Sequence, residues 1–245
     1  MNGIKGVLYR EMRVLKSRIY RNILASSVSP LLFLLAFGYG IGKNSTVGQT
    51  GYIDFLIPGL IAMTSMNQSY GISSDINISR FYFKTFDEYL LAPVGRWEII
   101  TGEVIYGIIK GLIPVLIILI YGYIAGMRHI PSLVMIPALL MHLIIFSLMG
   151  IAVALKVKNH GDQFAVNAFV ITPMIFLSGT FYPVDKMPLV VKYLAHIFPM
   201  TYTTTLIRGS VIGTETAYLL NFGISALIAG FLFWLCLRIV KGMEP

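Results

Sequence analysis

At 245 residues, with 12% charged and 56% hydrophobic side chains and a mean hydropathy of +0.77, the chain carries about half the charge of a soluble domain. That composition excludes intrinsic disorder and leaves more apolar surface than one compact soluble core can hide. One cysteine, Cys236, excludes a disulfide framework and a Cys-rich metal centre, so the chain, at a net charge of +8, reads as an all-α polytopic membrane protein.

Taken in chain order, six of the 19 basic residues come first: Lys5, Arg10, Arg13, Lys16, Arg18 and Arg21. This basic, amphipathic stretch predicts an interface helix over residues 1–22, lying along the anionic inner leaflet. It does not fit a secretory signal, because no small-residue cleavage site follows and the next run is long enough to cross. Six apolar runs follow: Ile23–Gly42, Phe55–Ser79, Ile99–Gly126, Ser132–Leu155, Gln163–Thr180 and Ala217–Val240. Each is near the ~17–25 residues a crossing needs, the longest allowing for tilt. Six spans put both termini on one side. Placing that side in the cytoplasm leaves 13 basic residues inside and five outside: Lys43, Arg128, Lys186, Lys192 and Arg208. Pro30, Pro58, Pro114, Pro137 and Pro173 predict kinks within the runs, and Gly107 with Gly111 predicts a close helix contact. No internal repeat marks the inverted halves of a secondary transporter.

The inner segment 80–98 is too apolar for a solvated linker. Phe86, Tyr89, Leu90 and Val94 share part of one helical face, Thr85 and Glu88 have capping-box spacing, and Pro93 ends the short helix. Such a helix docks either on lipid or in a groove of a partner protein. Within the spans, Asp75, Glu103 and Lys110 are predicted to form one buried polar cluster. Glu103 and Lys110 are seven apart on one helix, and Asp75 lies at similar depth on the antiparallel neighbour. The outer segment 181–213 predicts a re-entrant hairpin of two short, proline-bounded helices, with Val190, Val191, Leu194, Ile197 and Phe198 on one face. Gly38–Lys43 does not make a phosphate-cradling loop, and no His-Glu-x-x-His or Gly-x-Ser-x-Gly pattern occurs. His129, His142, His160 and His196 lack metal-ligand spacing. No catalytic, cofactor-binding or metal residue is therefore predicted, and the chain reads as a conduit or scaffold rather than an enzyme.

Two stretches carry a family resemblance across nearly the whole chain. They are Glu88, Tyr89, Leu90, Leu91, Ala92, Pro93 and Val94 with Gly102 after them, and Pro173, Leu177, Ser178, Gly179, Tyr182, Pro183, Met187, Pro188, Pro199 and Arg208. Both resemble the membrane permeases of type-2 ATP-binding-cassette exporters. That family includes permeases for Nod-factor lipo-oligosaccharides, daunorubicin-like drugs, and O-antigen or teichoic-acid polymers. Where it commonly has Arg-Gly-Thr-Leu-Glu before the paired leucines, this sequence has Lys84-Thr-Phe-Asp-Glu88. The Leu177-Ser-Gly and Pro183-Val-Asp stretches are nearer to the Nod-factor and drug-type branch.

The resemblance implies a homodimer of six-helix permeases with two ATP-hydrolysing subunits beneath, and ATP and Mg held on those subunits rather than on this chain. Lys84, Thr85, Phe86, Asp87, Glu88, Tyr89, Leu90, Leu91, Ala92, Pro93 and Val94 would be the coupling helix. Ser178, Gly179, Tyr182, Pro183, Pro188, Pro199 and Arg208 would belong to a cap over the exit. The implied activity is export of an amphipathic molecule, a lipid-linked saccharide, a lipid or a hydrophobic drug, across the inner membrane. Expected partners are the ATPase, a second copy and membrane lipid, but no nucleic acid. Two other classes stay open. An intramembrane lipid-modifying enzyme would need clustered ionisable residues, for which Asp75, Glu103, Lys110 and the outer Arg208 are the candidates, and a secondary transporter would follow ion gradients without ATP.

Overall fold

From Val7 to Ser29 the chain holds neither proline nor glycine, so nothing there stops a helix once it has begun. The computed structural model, which describes residues 2–42, 45–48, 50–85, 88, 93–213 and 217–242, has one unbroken helix α1 (Asn2–Phe33) continuing into a π-helical segment π1 (Leu34–Ile41). The leader, expected as an interface helix over residues 1–22, and the first run are one continuous helix with no break between them. Its α-helical part alone is about 48 Å long at 1.5 Å per residue, against ~30 Å of hydrocarbon. One end must project.

A two-residue hairpin, β1 (Thr46–Val47) and β2 (Thr50–Gly51), pairs antiparallel with Thr46 opposite Gly51. It leads into α2 (Tyr52–Tyr70), and α3 (Ile72–Phe81) follows past Gly71. Then come α4 (Arg96–Ile124), α5 (Met135–Lys156) and α6 (His160–Val166). A π turn, π2 (Asn167–Ile171), joins α6 to α7 (Thr172–Leu177). A 3-10 turn (Val184–Lys186), α8 (Leu189–Ile197), α9 (Pro199–Ile212) and α10 (Tyr218–Lys241) complete the described elements.

Among the described residues, four helices are long and apolar enough to cross a membrane: α1 with π1, α4, α5 and α10. The expected second and fifth crossings do not meet that measure, and the reasons differ. Helix α2 is the centre of the bundle, with every residue from Asp54 to Met66 buried. It packs against α4, α5 and α9, so protein rather than lipid surrounds it and Ser65 and Ser69 are tolerated there. The fifth run falls into short segments around π2 and ends at Leu177.

Two apolar clusters hold the bundle. One surrounds α2, through Leu56, Ile57, Leu60 and Met66, and takes in Leu143, Phe146 and Ile207. The other joins Leu15 of α1, Ile72 and Ile76 of α3, Ile100 and Tyr106 of α4, Leu148 of α5, and Cys236 and Val240 of α10. Helix α4 approaches its neighbours where it has no side chain. A Cβ on Gly107 would lie 2.2 Å from the Ser147 hydroxyl, and one on Gly111 2.2 Å from that of Ser69. Arg80 donates to the Ala154 carbonyl, which fixes the end of α3 beside the end of α5. Residues 3–18, 79–85, 88, 93–102, 154–162 and 236–241 thus share one end of the bundle, the leader end. Residues 37–42, 45–48, 50–55 and 176–213 share the other, the hairpin end.

Candidate functional site

Three helices bring charge together near the leader end. Lys110 on α4 places Nζ 2.6 Å from Asp75 Oδ2 on α3, and the Tyr106 hydroxyl donates to the same oxygen at 3.1 Å. The pair is mostly buried, with side-chain exposures of 10% for Lys110 and 24% for Asp75. Glu103 shares the α4 face, unbonded to either member of the pair but within electrostatic reach of both. It is 2% exposed, its Oε2 has no hydrogen-bond partner, and no ion pair joins it to Lys110 among the described residues. Two of the three residues expected to cluster are thus in direct contact, with the third inside their electrostatic field.

It also adds residues that the sequence did not point to. Arg10 and the buried Glu11 of α1 form an ion pair at 2.9 Å, and together with Arg18, Asp75, Ser79 and Phe83 they line a cavity of about 80 Å³ between α1 and α3. Charged and apolar side chains share that lining, and the space is large enough for ordered water beside the charges. Charges buried away from water are costly unless they are paired, which favours their pairing here.

Arg10 reaches further. Its second nitrogen donates to the hydroxyls of Ser79 at 2.9 Å and Thr85 at 2.7 Å, and those two hydroxyls lie 2.8 Å apart. Thr85 N–H donates to the Ser79 carbonyl at 3.0 Å. The chain leaving α3 is thus held to α1. At the far side of the same loop, a Cβ on Gly3 would lie 2.5 Å from Val94 and 2.7 Å from Glu98, and one on Gly102 2.9 Å from Val7. Both ends of the 80–98 loop rest on the first turns of α1. Of the residues expected to couple, Lys84 adopts a left-handed conformation at φ +52, Glu88 and Pro93 are exposed, and Val94 is half-buried. Phe86, Asp87, Tyr89, Leu90, Leu91 and Ala92 lie outside the described residues.

At the hairpin end, Arg208 of α9 donates to the Gly179 carbonyl at 2.7 Å and the Phe55 carbonyl at 3.4 Å, with its guanidinium carbon 3.9 Å from the centroid of the Phe55 ring. Gly179 sits at φ +78, a conformation that glycine adopts without strain. The next residue packs on α2 so closely that a Cβ on Gly59 would lie 2.3 Å from the Thr180 carbonyl oxygen. Ser178 is buried without a partner for its hydroxyl, and Tyr182 donates to the Lys186 carbonyl at 3.4 Å. Tyr52 donates to the Phe181 carbonyl at 3.0 Å, and the Phe181 ring lies 5.0 Å from both Phe33 and Phe37. Pro183 leads into the 3-10 turn, Pro188 precedes α8, and Pro199 opens α9, where a fixed φ suits a helix start.

Exposure along this segment predicts a labelling pattern. Lys186 is exposed and the Lys192 side chain is 37% exposed, whereas Leu206 is buried. In a Cys236→Ser background, Lys186→Cys and Lys192→Cys should react with an impermeant maleimide added to intact cells, and Thr205→Cys and Leu206→Cys far more slowly. Labelling at 186 only after cell lysis would reverse the orientation read from the basic residues.

Between the two ends, His142 was assigned no role by its spacing. It is fully buried on α5, with Nδ1 2.9 Å from the Thr203 hydroxyl of α9 and Nε2 3.0 Å from the Ala62 carbonyl of α2. A carbonyl only accepts, so Nε2 carries the hydrogen and Nδ1 accepts from Thr203. The ring is a cross-brace for three helices. Among the described residues, no three His, Cys, Asp or Glu side chains are placed to hold a metal ion.

The ABC-2 type transporter family matches residues 3–212 of the chain. The inner membrane transport permease YadH of Escherichia coli (strain K12) is 24% identical over 244 residues, covering 98% of this chain and 94% of YadH. Nodulation protein J of Rhizobium leguminosarum bv. viciae is 25% identical over 205 residues, covering 82% and 79%. The protein of that name from Neorhizobium galegae is 23% identical over 195 residues, covering 78% and 74%.

Proposed function

The chain belongs to the ABC-2 type transporter family, and on that premise we propose that it is the membrane permease subunit of an ATP-driven exporter. Its cargo is an amphipathic molecule, a lipid-linked saccharide, a lipid or a hydrophobic drug, moved out of the cytoplasm. Two copies pair, and two ATP-hydrolysing subunits, which carry the ATP and Mg, dock at the leader end. The six crossings are α1 with π1, α2 with α3, α4, α5, α6 with α7, and α10. Both termini lie in the cytoplasm, a placing supported by the 13 basic residues at the leader end.

The observation that carries this reading is the seating of the 80–98 loop on α1. A push on residues 84–94 meets Arg10 through Thr85 and α1 through Val94, and the Asp75–Lys110 pair links α3 to α4 behind them. Closure of the ATPase subunits therefore has a route into three helices without passing through solvent. Inside-out vesicles containing this chain and its ATPase test the proposal. Uptake of a labelled lipid-linked saccharide should stop when ATP is withheld and continue when ionophores collapse the ion gradients. The opposite pattern would make the chain an ion-coupled transporter.

A further inference from the structure

Helix α1 has a second concave surface, on a different flank from the polar cluster. Tyr9, Met12, Arg13, Leu15, Lys16 and Ile19 line a cleft of about 560 Å³ there. The lining falls into two adjacent helical stripes. Met12, Leu15 and Ile19, at i, i+3 and i+7, form an apolar floor that packs into the cluster containing Cys236 and Val240 of α10. Tyr9, Arg13 and Lys16, at i, i+4 and i+7, form an exposed rim of one aromatic ring and two cations, with the Arg13 guanidinium 5.5 Å from the centroid of the Tyr9 ring.

The height of the cleft says what it faces. Measured along the rod, Ile19 is about 33 Å from Ile41 at 1.5 Å per residue, and a hydrocarbon core is ~30 Å thick. The Ile19 end of the cleft opens where acyl chains meet headgroups, and Lys16 and Arg13 stand about 5 and 9 Å further out along the rod. The floor packs against α10 near its basic last turn, Arg238 and Lys241. A small soluble anion would leave the apolar floor bare. A neutral chain would leave Arg13 and Lys16 without a counter-charge, since no acidic residue lines the cleft.

We propose that this cleft binds one anionic phospholipid of the leaflet at the leader end, with the phosphate between Arg13 and Lys16, the glycerol backbone on the apolar floor and an acyl chain leaving past Ile19 into the hydrocarbon. The site requires that the chain be in a membrane; it does not depend on the exporter reading.

Tryptophan quenching in reconstituted vesicles tests it. Ile19→Trp, with Trp97→Phe and Trp234→Phe, gives one emitter on the cleft floor. In phosphatidylcholine vesicles, phosphatidylglycerol brominated on its acyl chain should quench this emitter more than equally brominated phosphatidylcholine. The preference should fall roughly fivefold with Arg13→Gln and again with Lys16→Gln. Arg21→Gln with Lys158→Gln removes the same charge at the same end but outside the cleft, and should leave the preference in place. An equal loss in that control would show attraction to bulk surface charge and overturn the site. Equal quenching by both lipids, or by neither, would overturn it too, the first as a non-selective groove and the second as a face covered by protein. Native mass spectrometry of the unsubstituted chain, released from mixed vesicles, should find one phosphatidylglycerol retained per chain. Its absence would count against the site whatever the reporter variant does.

Discussion

Lys110→Met is expected to destabilise the inserted protein by about 3 kcal/mol, near the low end of the range for breaking a buried ion pair, because the Asp75 side chain keeps 24% exposure. The substitution leaves the Asp75 carboxylate with Tyr106 as its hydrogen-bond donor and without its ion-pair partner. Asp75→Asn should cost a similar amount by stranding the Lys110 ammonium. With both changed, neither charge remains to be stranded, so the double variant should cost less than the sum of the singles by about 1–2 kcal/mol. Tyr106→Phe removes one hydrogen bond and should cost about 1 kcal/mol. Glu103→Gln with Lys110→Met should depart from additivity by less than the Asp75 and Lys110 pair does, because Glu103 feels the Lys110 charge without a bond to it. Denaturant unfolding of the purified protein in detergent supplies these values. Strict additivity of the Asp75 and Lys110 substitutions would mean that their contact contributes nothing.

Leu90→Asp with Leu91→Asp should abolish recovery of the ATPase subunits with this chain while leaving its insertion unchanged. The paired leucines lie in a loop anchored at both ends on α1, through Arg10 and Thr85 on one side and Gly3 and Val94 on the other. Under the coupling proposal they sit in an apolar groove of the partner. Burying a carboxylate there without a counter-charge costs several kcal/mol, and each 1.4 kcal/mol is tenfold in affinity. Two such charges take the complex well below what affinity purification retains. Lys186→Asp, at the hairpin end, should co-purify normally. Undiminished ATPase in the double-aspartate preparation would place the docking surface elsewhere.

The Asp75–Lys110 contact was legible because depth along a helix is arithmetic: one residue sits a fixed rise from the boundary, and the antiparallel neighbour runs back past it. Tyr106 was legible in principle, being three residues after Glu103 and four before Lys110 on the same face, but a tyrosine in an apolar run gives no signal of its own. Arg10 and Glu11 were hidden by their surroundings. In a run of six cations, the pattern that suits a lipid headgroup also suits a protein contact, and only packing against α3 separates the two. The unbroken α1 was open to inspection, since no breaker intervenes, yet amphipathicity argued for a bend that the backbone has no reason to make. The second run misled in another way. Its Ser65, Ser69, Asn77 and Gln68 weaken the lipid-crossing signal because α2 and α3 bury much of their surface against other helices, and hydropathy measures lipid contact rather than protein contact. His142 gave no warning, since a lone histidine in an apolar run is silent about its partners.

A rod that touches both ends of the bundle acts as a lever. Through Arg10, α1 is bonded to the loop that leaves α3; through Phe33 and on into π1 at Phe37, it leans on the Phe181 ring of the hairpin end. At 1.5 Å per residue, a tilt of about 10° around its midpoint carries each end through about 4 Å in opposite directions. Motion delivered at the loop then appears at the aromatic stack with its sign reversed and no intermediate messenger. Pro30 lies just ahead of that stack and lacks a helical N–H, so it is where bending would absorb the stroke instead. The stiffness of the turns around Pro30 therefore sets how much of a displacement at one face of the membrane is felt at the other.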